Sequence, residues 1–139
     1  MAPSFPQKPV LTLEDARVAM GACEAAALPH QWNVVIAVVD DGGHPILVQR
    51  LDGAQWSSVE TAIGKARTAV AFKRPTRVLE EMINNGRTAF LSIPGEMVFL
   101  QGGLPIRIDG EIVGAIGVSG VKAADDEVVA QAGVDALEA

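Results

Sequence analysis

The segment Gly102 to Gly120, "GGLPIRIDGEIVGAIGVSG", constrains this chain more than any other stretch. Asp109-Gly110 lies between two alternating apolar runs, and a two-residue hairpin turn of this kind needs both central residues at positive φ. The segment therefore predicts a β-hairpin. A strict two-residue register sets Ile106 opposite Val113 and Arg107 opposite Ile112. It places Ile106, Val113, Ala115 and Gly117 on one face, and Arg107, Ile112, Ile116 and Val118 on the other. Both faces are apolar, so something must cover each side of the sheet. Gly114 and Gly117 lie on opposite faces, where each permits close approach of a helix or neighbouring backbone.

The remaining elements follow from period and punctuation. Thr12 with Asp15 three residues on reads as a capping box opening a helix from Leu13 to Leu28, whose alanines allow close approach. Val34–Asp40 and Pro45–Arg50 form a second hairpin around Gly42-Gly43, again apolar on both faces. Ser57 and Glu60 suggest another capping box, with a helix continuing to about Phe72 and interrupted at Pro75. A short helix from Thr76 ends at Asn84-Asn85-Gly86, where glycine suits a left-handed terminus. "MVFL", 97–100, reads as a short strand before the glycine-rich hairpin, and a last helix runs from about Ala124 to Leu137 with acids in its first turn. Adjacent strands are joined by hairpins, so the expectation is an α+β fold with an antiparallel sheet and helices on its faces.

At 139 residues the chain fits one domain, taken as 11–139 after an N-terminal extension over 1–10. A net charge of −6 argues against a nucleic-acid partner, because phosphate backbones call for a basic face. The single cysteine, Cys23, lies in an alanine-rich helical pattern and reads as a buried hydrophobe. The first ten residues carry no basic stretch followed by an apolar one, and no apolar run reaches the length of a membrane span. The expected location is cytoplasmic, with no membrane partner. The high content of small and branched apolar residues suggests tight packing that extends into a subunit interface.

Candidate chemistry is scattered. On the helix after Ser57, Val59, Ala62, Ile63, Ala66 and Val70 form the stripe that faces the sheet. Thr61, Lys65, Thr68 and Phe72 lie nearly opposite, either as a solvated face or as a wall where Lys65 meets an anion. Arg50 and Asp52 stand between a strand and a helix, either in an ordinary loop or where side chains gather around a ligand. His30 and His44 are the only histidines, and each imidazole can ligate a metal or haem iron, although turn histidines are more often simply exposed. No spacing typical of zinc sites or covalent haem attachment is present. Lys65, Lys73 and Arg74 make a local basic patch beside Phe72.

"VVIAVVDDGGHPILVQRLDGA", "GKARTAVAFKRPT", "GGLPIRIDGEIVGAIGVSG" and "DDEVVAQAG" together resemble the GlcG/HbpS family of haem-degrading (DUF336) domains, over roughly Leu11 to Leu137. The resemblance implies a profilin-like fold with a five-stranded antiparallel sheet between helical layers, and homo-oligomers, often octamers. It places Arg50, Asp52, Lys65, Thr68, Gly102, Gly103 and Ser119 on motif positions. It also implies a small-molecule ligand, with haem as the leading cofactor. For such a ligand the candidate binding residues are Arg50, Asp52, Lys65 and Thr68 on motif positions, with Phe72 and Arg74 beside them. The basic patch suits the propionates of an anionic porphyrin, and His44 or His30, which the resemblance does not assign, is the candidate iron ligand. Two other readings stand beside it. One is a cofactor-independent enzyme, isomerase- or lyase-like, acting on a small oxidised or aromatic acid, with Lys65 or Arg50 holding a carboxylate and His44 or an acid moving a proton. The other is an accessory structural oligomer.

Overall fold

The computed structural model describes residues 2–138. Helix α1 (Leu13–Ala27) is followed by a 3-10 turn, the hairpin β1 (Val35–Asp40) and β2 (Pro45–Arg50), and helices α2 (Ser57–Phe72) and α3 (Thr76–Asn84). The hairpin β3 (Gly103–Ile108) and β4 (Glu111–Ser119) then leads to α4 (Ala123–Glu138). The four strands make one antiparallel sheet in the order β2-β1-β4-β3. This is the α+β arrangement expected, with helices on both faces.

The core divides at the sheet. On one side Ile36, Val38, Ile106, Ile116 and Val118 pack with Ala16, Ala19 and Cys23 of α1 and Val129 and Ala130 of α4. On the other, Val35, Ala37, Val39 and Ala115 pack against Ala62, Ala66 and Ala69 of α2. Small residues on α2 bring its backbone onto the sheet. A Cβ built on Gly117 would stand 2.1 Å from the Ala62 carbonyl oxygen, and one on Gly103 would stand 2.3 Å from that of Lys65. Gly114 faces the other way, towards Leu11 and the Val39 carbonyl. The close approach expected at Gly114 and Gly117 is present on both faces.

The Asp109-Gly110 turn has φ of 52° and 80°, as an I′-type turn requires. Beyond it the strict register fails. Arg107 does pair with Ile112, but Ile106 pairs with Gly114 because a bulge intervenes between Ile106 and Arg107. The extra residue reverses the alternation. Val113 therefore joins Ile106, Ile116 and Val118 on the α1/α4 side, whereas Ile112 joins Ala115 on the α2 side.

Two further expectations are corrected. The Ser57–Glu60 capping box does not form: Trp56 is the N-cap, in helical conformation and without a side-chain cap. The turn before the helix supplies the acceptors instead, since the Ser58 and Val59 amides donate to the carbonyls of Gln55 and Trp56. The Thr12–Asp15 box does form, with both reciprocal bonds. Nor is 97–100 a fifth strand, so the sheet has four strands where five were expected. The Val98 amide donates to the Thr68 hydroxyl at 2.8 Å, and the Val98 side chain fills the space above Gly64. That segment lies across α2 and has no ladder partner. The β3 edge is closed by other means. The Gly103 amide donates to Thr76 Oγ1 at 2.9 Å, Pro105 has no amide hydrogen, and the Arg107 amide donates to Glu138 Oε1 at 2.7 Å.

Candidate functional site

A concavity of about 430 Å³ opens where α1 ends and the first hairpin begins. Glu24 and Leu28 form one wall, the 31–33 turn the floor, and Gln49 to Asp52 the opposite wall. Local backbone chemistry holds it in shape. Gln31 takes a left-handed conformation (φ 57°) to end the helical run, and Trp32 donates its amide to the Ala27 carbonyl at 3.2 Å. The Leu51 amide reaches the Val34 carbonyl at 3.0 Å, fixing Arg50 at the end of β2 and Asp52 just past it. Gly53, at φ 86°, faces the Asn33 side chain so closely that a Cβ would stand 2.8 Å from its amide nitrogen.

The cleft is mixed in character. Leu28, Trp32 and Leu51 give it apolar walls, and Arg50, Asp52 and Glu24 bring one cation and two carboxylates. None of those three has an ion-pair partner among the described residues. Next to it the exposed His30 ring stacks on Trp32, with centroids 4.2 Å apart and planes 17° apart. Arg50, Asp52 and His30 are thus brought to one place. Glu24, Gln31 and Trp32 were missed; the only sequence signal for them was an aromatic and amides crowded into "LPHQWN".

The other candidates lie elsewhere. His44 is exposed in the β1–β2 turn, at the far end of β1, about 20 Å from His30 by strand length. Within one chain the two imidazoles cannot share an iron. His44 Nδ1 is 3.4 Å from Asp40 Oδ1, but that oxygen already accepts the Gly42 and His44 amides at 2.9 Å each. The hydrogen bond from the His44 amide, more than any other contact, holds the Asp40 carboxyl below its ordinary value. Asp40 is therefore occupied in building the turn.

The stripe expected to face away from the sheet is not a solvated wall. Lys65 is 2% exposed and Thr68 is fully buried: the Lys65 side chain runs along the β3–β4 end of the sheet to reach the first turn of α4, and the 94–100 loop covers Thr68. Lys65 does meet an anion, but an internal one. Its Nζ donates to Asp126 Oδ2 at 3.0 Å and to the Val118 carbonyl at 2.9 Å. Burial pushes the Asp126 carboxyl up, and the Lys65 ammonium and the Val121 amide oppose that rise. Thr68 donates to the Gly64 carbonyl at 2.7 Å. Phe72 is half-buried against Phe90 and Phe99, at 6.1 and 6.0 Å between centroids, and Arg74 is exposed and donates back to the Phe72 carbonyl at 3.1 Å. No described residue of that basic patch stands near a histidine-lined cleft: Lys65 is committed, and Lys73 and Arg74 lie in solvent.

The class this defines is a small α+β domain, an antiparallel four-stranded sheet between helices, with a cleft at one sheet end. The family model described as "Haem degrading protein HbpS-like" matches residues 11–135, and the chain belongs to that family. It is 42% identical over 112 residues to Protein GlcG of Escherichia coli K12, covering 81% of this chain and 83% of GlcG. Among solved structures it resembles a double mutant of Streptomyces reticuli HbpS, with a TM-score of 0.87 and 35% identity over 99% of this chain and 97% of that one. It also resembles the chain in a crystal structure of a PduOC:heme complex, with a TM-score of 0.85 and 30% identity over 92% and 95%. No described helix is long and apolar enough to cross a membrane.

Proposed function

We propose that this chain is an oligomeric small-ligand-binding protein whose ligand is haem, held at the cleft between α1 and the first hairpin. The observation that carries the reading is the likeness, across nearly the whole chain, to a structure solved as a haem complex. The residues at the cleft suit such a ligand. Trp32, Leu28 and Leu51 offer apolar surface to a ring, the uncommitted Arg50 offers a cation to a propionate, and beside the cleft His30, stacked on Trp32, offers an exposed imidazole. The volume falls in the usual range for small-molecule sites. Haem, when bound, supplies a redox-active iron. His30 would hold the iron, Trp32, stacked on that imidazole, would fix the orientation of the ring, and Arg50 would pair with a propionate.

Titration with hemin, followed by absorbance, tests this. The parent protein is expected to give a shifted Soret band with a low-spin component. His30→Ala removes that component, Arg50→Ala weakens binding about tenfold or less, as befits one exposed ion pair, and His44→Ala leaves the spectrum unchanged. A parent spectrum identical to free hemin, or a low-spin component lost in His44→Ala and retained in His30→Ala, overturns the assignment.

A further inference from the structure

Among the described residues, nothing packs on the outward face of α1. Val18, Gly21, Ala25 and Leu28 recur at alternating spacings of three and four residues, so they form one stripe. All four are exposed, Val18 at 47% and Leu28 at 60%. Gly21 is the anomaly. A glycine inside a helix is destabilising relative to alanine, and apart from the adjoining helix backbone no described atom lies within 4 Å of where a Cβ on Gly21 would be. Nothing in the fold requires its smallness. At Gly117 and Gly103, by contrast, backbone atoms occupy that space.

We propose that this face is a two-fold contact with a second copy of the chain, antiparallel about Gly21, in which Arg17 of one copy completes the cleft of the other. The inference rests on the oligomeric reading given above. Charge complementarity selects the occupant. With Gly21 on the two-fold axis, Ala25 lies level with Arg17 of the second copy and Leu28 with its Glu14, so each Arg17 comes within one turn of the other copy's Glu24. The two ion pairs are equivalent by symmetry. Within the chain Arg17 has only the exposed Glu14 at 3.6 Å, and Glu24 has no ion-pair partner among the described residues. A parallel pairing would set Arg17 against Arg17. Glu24 and Leu28 also line the cleft. The second copy therefore closes the cleft at its α1 wall and adds a cation, changing one cation against two carboxylates into two against two. That change favours an anionic ligand.

Light scattering and oxidative cross-linking on the full chain test this. The parent is expected to be an assembly, and Gly21→Arg is expected to lower its mass at least twofold while leaving its circular dichroism unchanged. Arg17→Glu lowers the mass likewise, and the double variant Arg17→Glu/Glu24→Arg restores it. Gly21→Cys, mild oxidation and non-reducing electrophoresis are expected to give a covalent dimer, since residues facing across a close helix contact meet disulfide spacing and Cys23 is buried. A monomeric parent overturns the oligomeric reading and this inference together. An assembled parent whose mass survives Gly21→Arg, or whose Gly21→Cys variant gives no covalent dimer, overturns this inference alone. Should Gly21→Arg fail to fold, the cross-linking result decides.

Discussion

Lys65 Nζ lies 3.0 Å from Asp126 Oδ2, with each side chain about 3% exposed. The pair ties the middle of α2 to the first turn of α4 across the end of β4. Asp126 Oδ1 also accepts the Val121 amide at 3.1 Å, and Lys65 also donates to Val118. Removing one partner leaves the other charge buried without compensation, which typically costs about 3–5 kcal/mol. Lys65→Met is therefore expected to lower unfolding free energy by about that amount in chemical denaturation. The double variant Lys65→Met/Asp126→Leu should lose less than the sum of the single losses. Additive losses would show that the two groups do not depend on each other.

Gly117 gives a second stability prediction. Its missing Cβ is replaced by α2 backbone, with Ala62 O at 2.1 Å and Ala66 N at 2.5 Å from the built position. A helix backbone cannot move aside as a side-chain tip can, so Gly117→Ala is expected to cost about 2–3 kcal/mol and Gly117→Val more. An unchanged denaturation midpoint in either variant would mean that the helix is not seated as closely as described.

Much of this fold was legible because it is written in local signals. The positive-φ pair at Asp109-Gly110, the Thr12–Asp15 box and the period-2 runs each depend on neighbours a few residues apart. The bulge beside Ile106 was not legible, because one extra residue leaves both strands apolar on both faces and so leaves no trace in the alternation. The run 97–100 looked like a strand for the same reason: four apolar residues read alike whether they join a sheet or lie across a helix. Helical projection placed Lys65 nearly opposite the sheet, whereas its carbonyl lies against Gly103 of β3 and its ammonium on the Val118 carbonyl of β4. The alanines of α2 centre the sheet-facing stripe nearer to Lys65 than the larger apolar residues suggest. What the projection could not supply was Asp126, 61 residues later in the chain and read only as one of the acids in the first turn of the last helix. Arg50, Asp52 and His30 were named from the sequence, but the cleft that Arg50 and Asp52 line, with His30 stacked on Trp32 beside it, depends on how α1 ends against the first hairpin.

Cys23 offers a test of burial by chemistry. It is fully buried between α1 and α4, where a Cβ on Gly133 would stand 2.5 Å from its Sγ, and burial pushes its thiol up to about 12. The thiolate is the reactive form. Alkylation by iodoacetamide at pH 8 is expected to proceed only through unfolding, so its rate should follow denaturant concentration. Prompt stoichiometric labelling in native buffer would contradict the packing of α1 on α4.

The last prediction concerns acid stability and the first hairpin. Asp40 Oδ1 accepts the amides of His44 and Gly42, and those bonds hold its carboxyl below its ordinary value in the folded chain. A carboxyl depressed by folding contributes stability that is fully present above the unfolded value, and that contribution is lost as pH falls through the folded one. Replacing Asp40 by Asn keeps an acceptor for the amides but removes the titration. The deficit of Asp40→Asn relative to the parent should therefore be constant near neutrality, where the carboxylate is ionised in both states. It should shrink as pH falls through the acidic range and be smallest once the parent carboxyl is protonated folded and unfolded alike. Denaturation curves at a series of pH values read this directly. A deficit that stays constant through the acid limb, or grows there, would mean that the turn does not depend on the charge of Asp40.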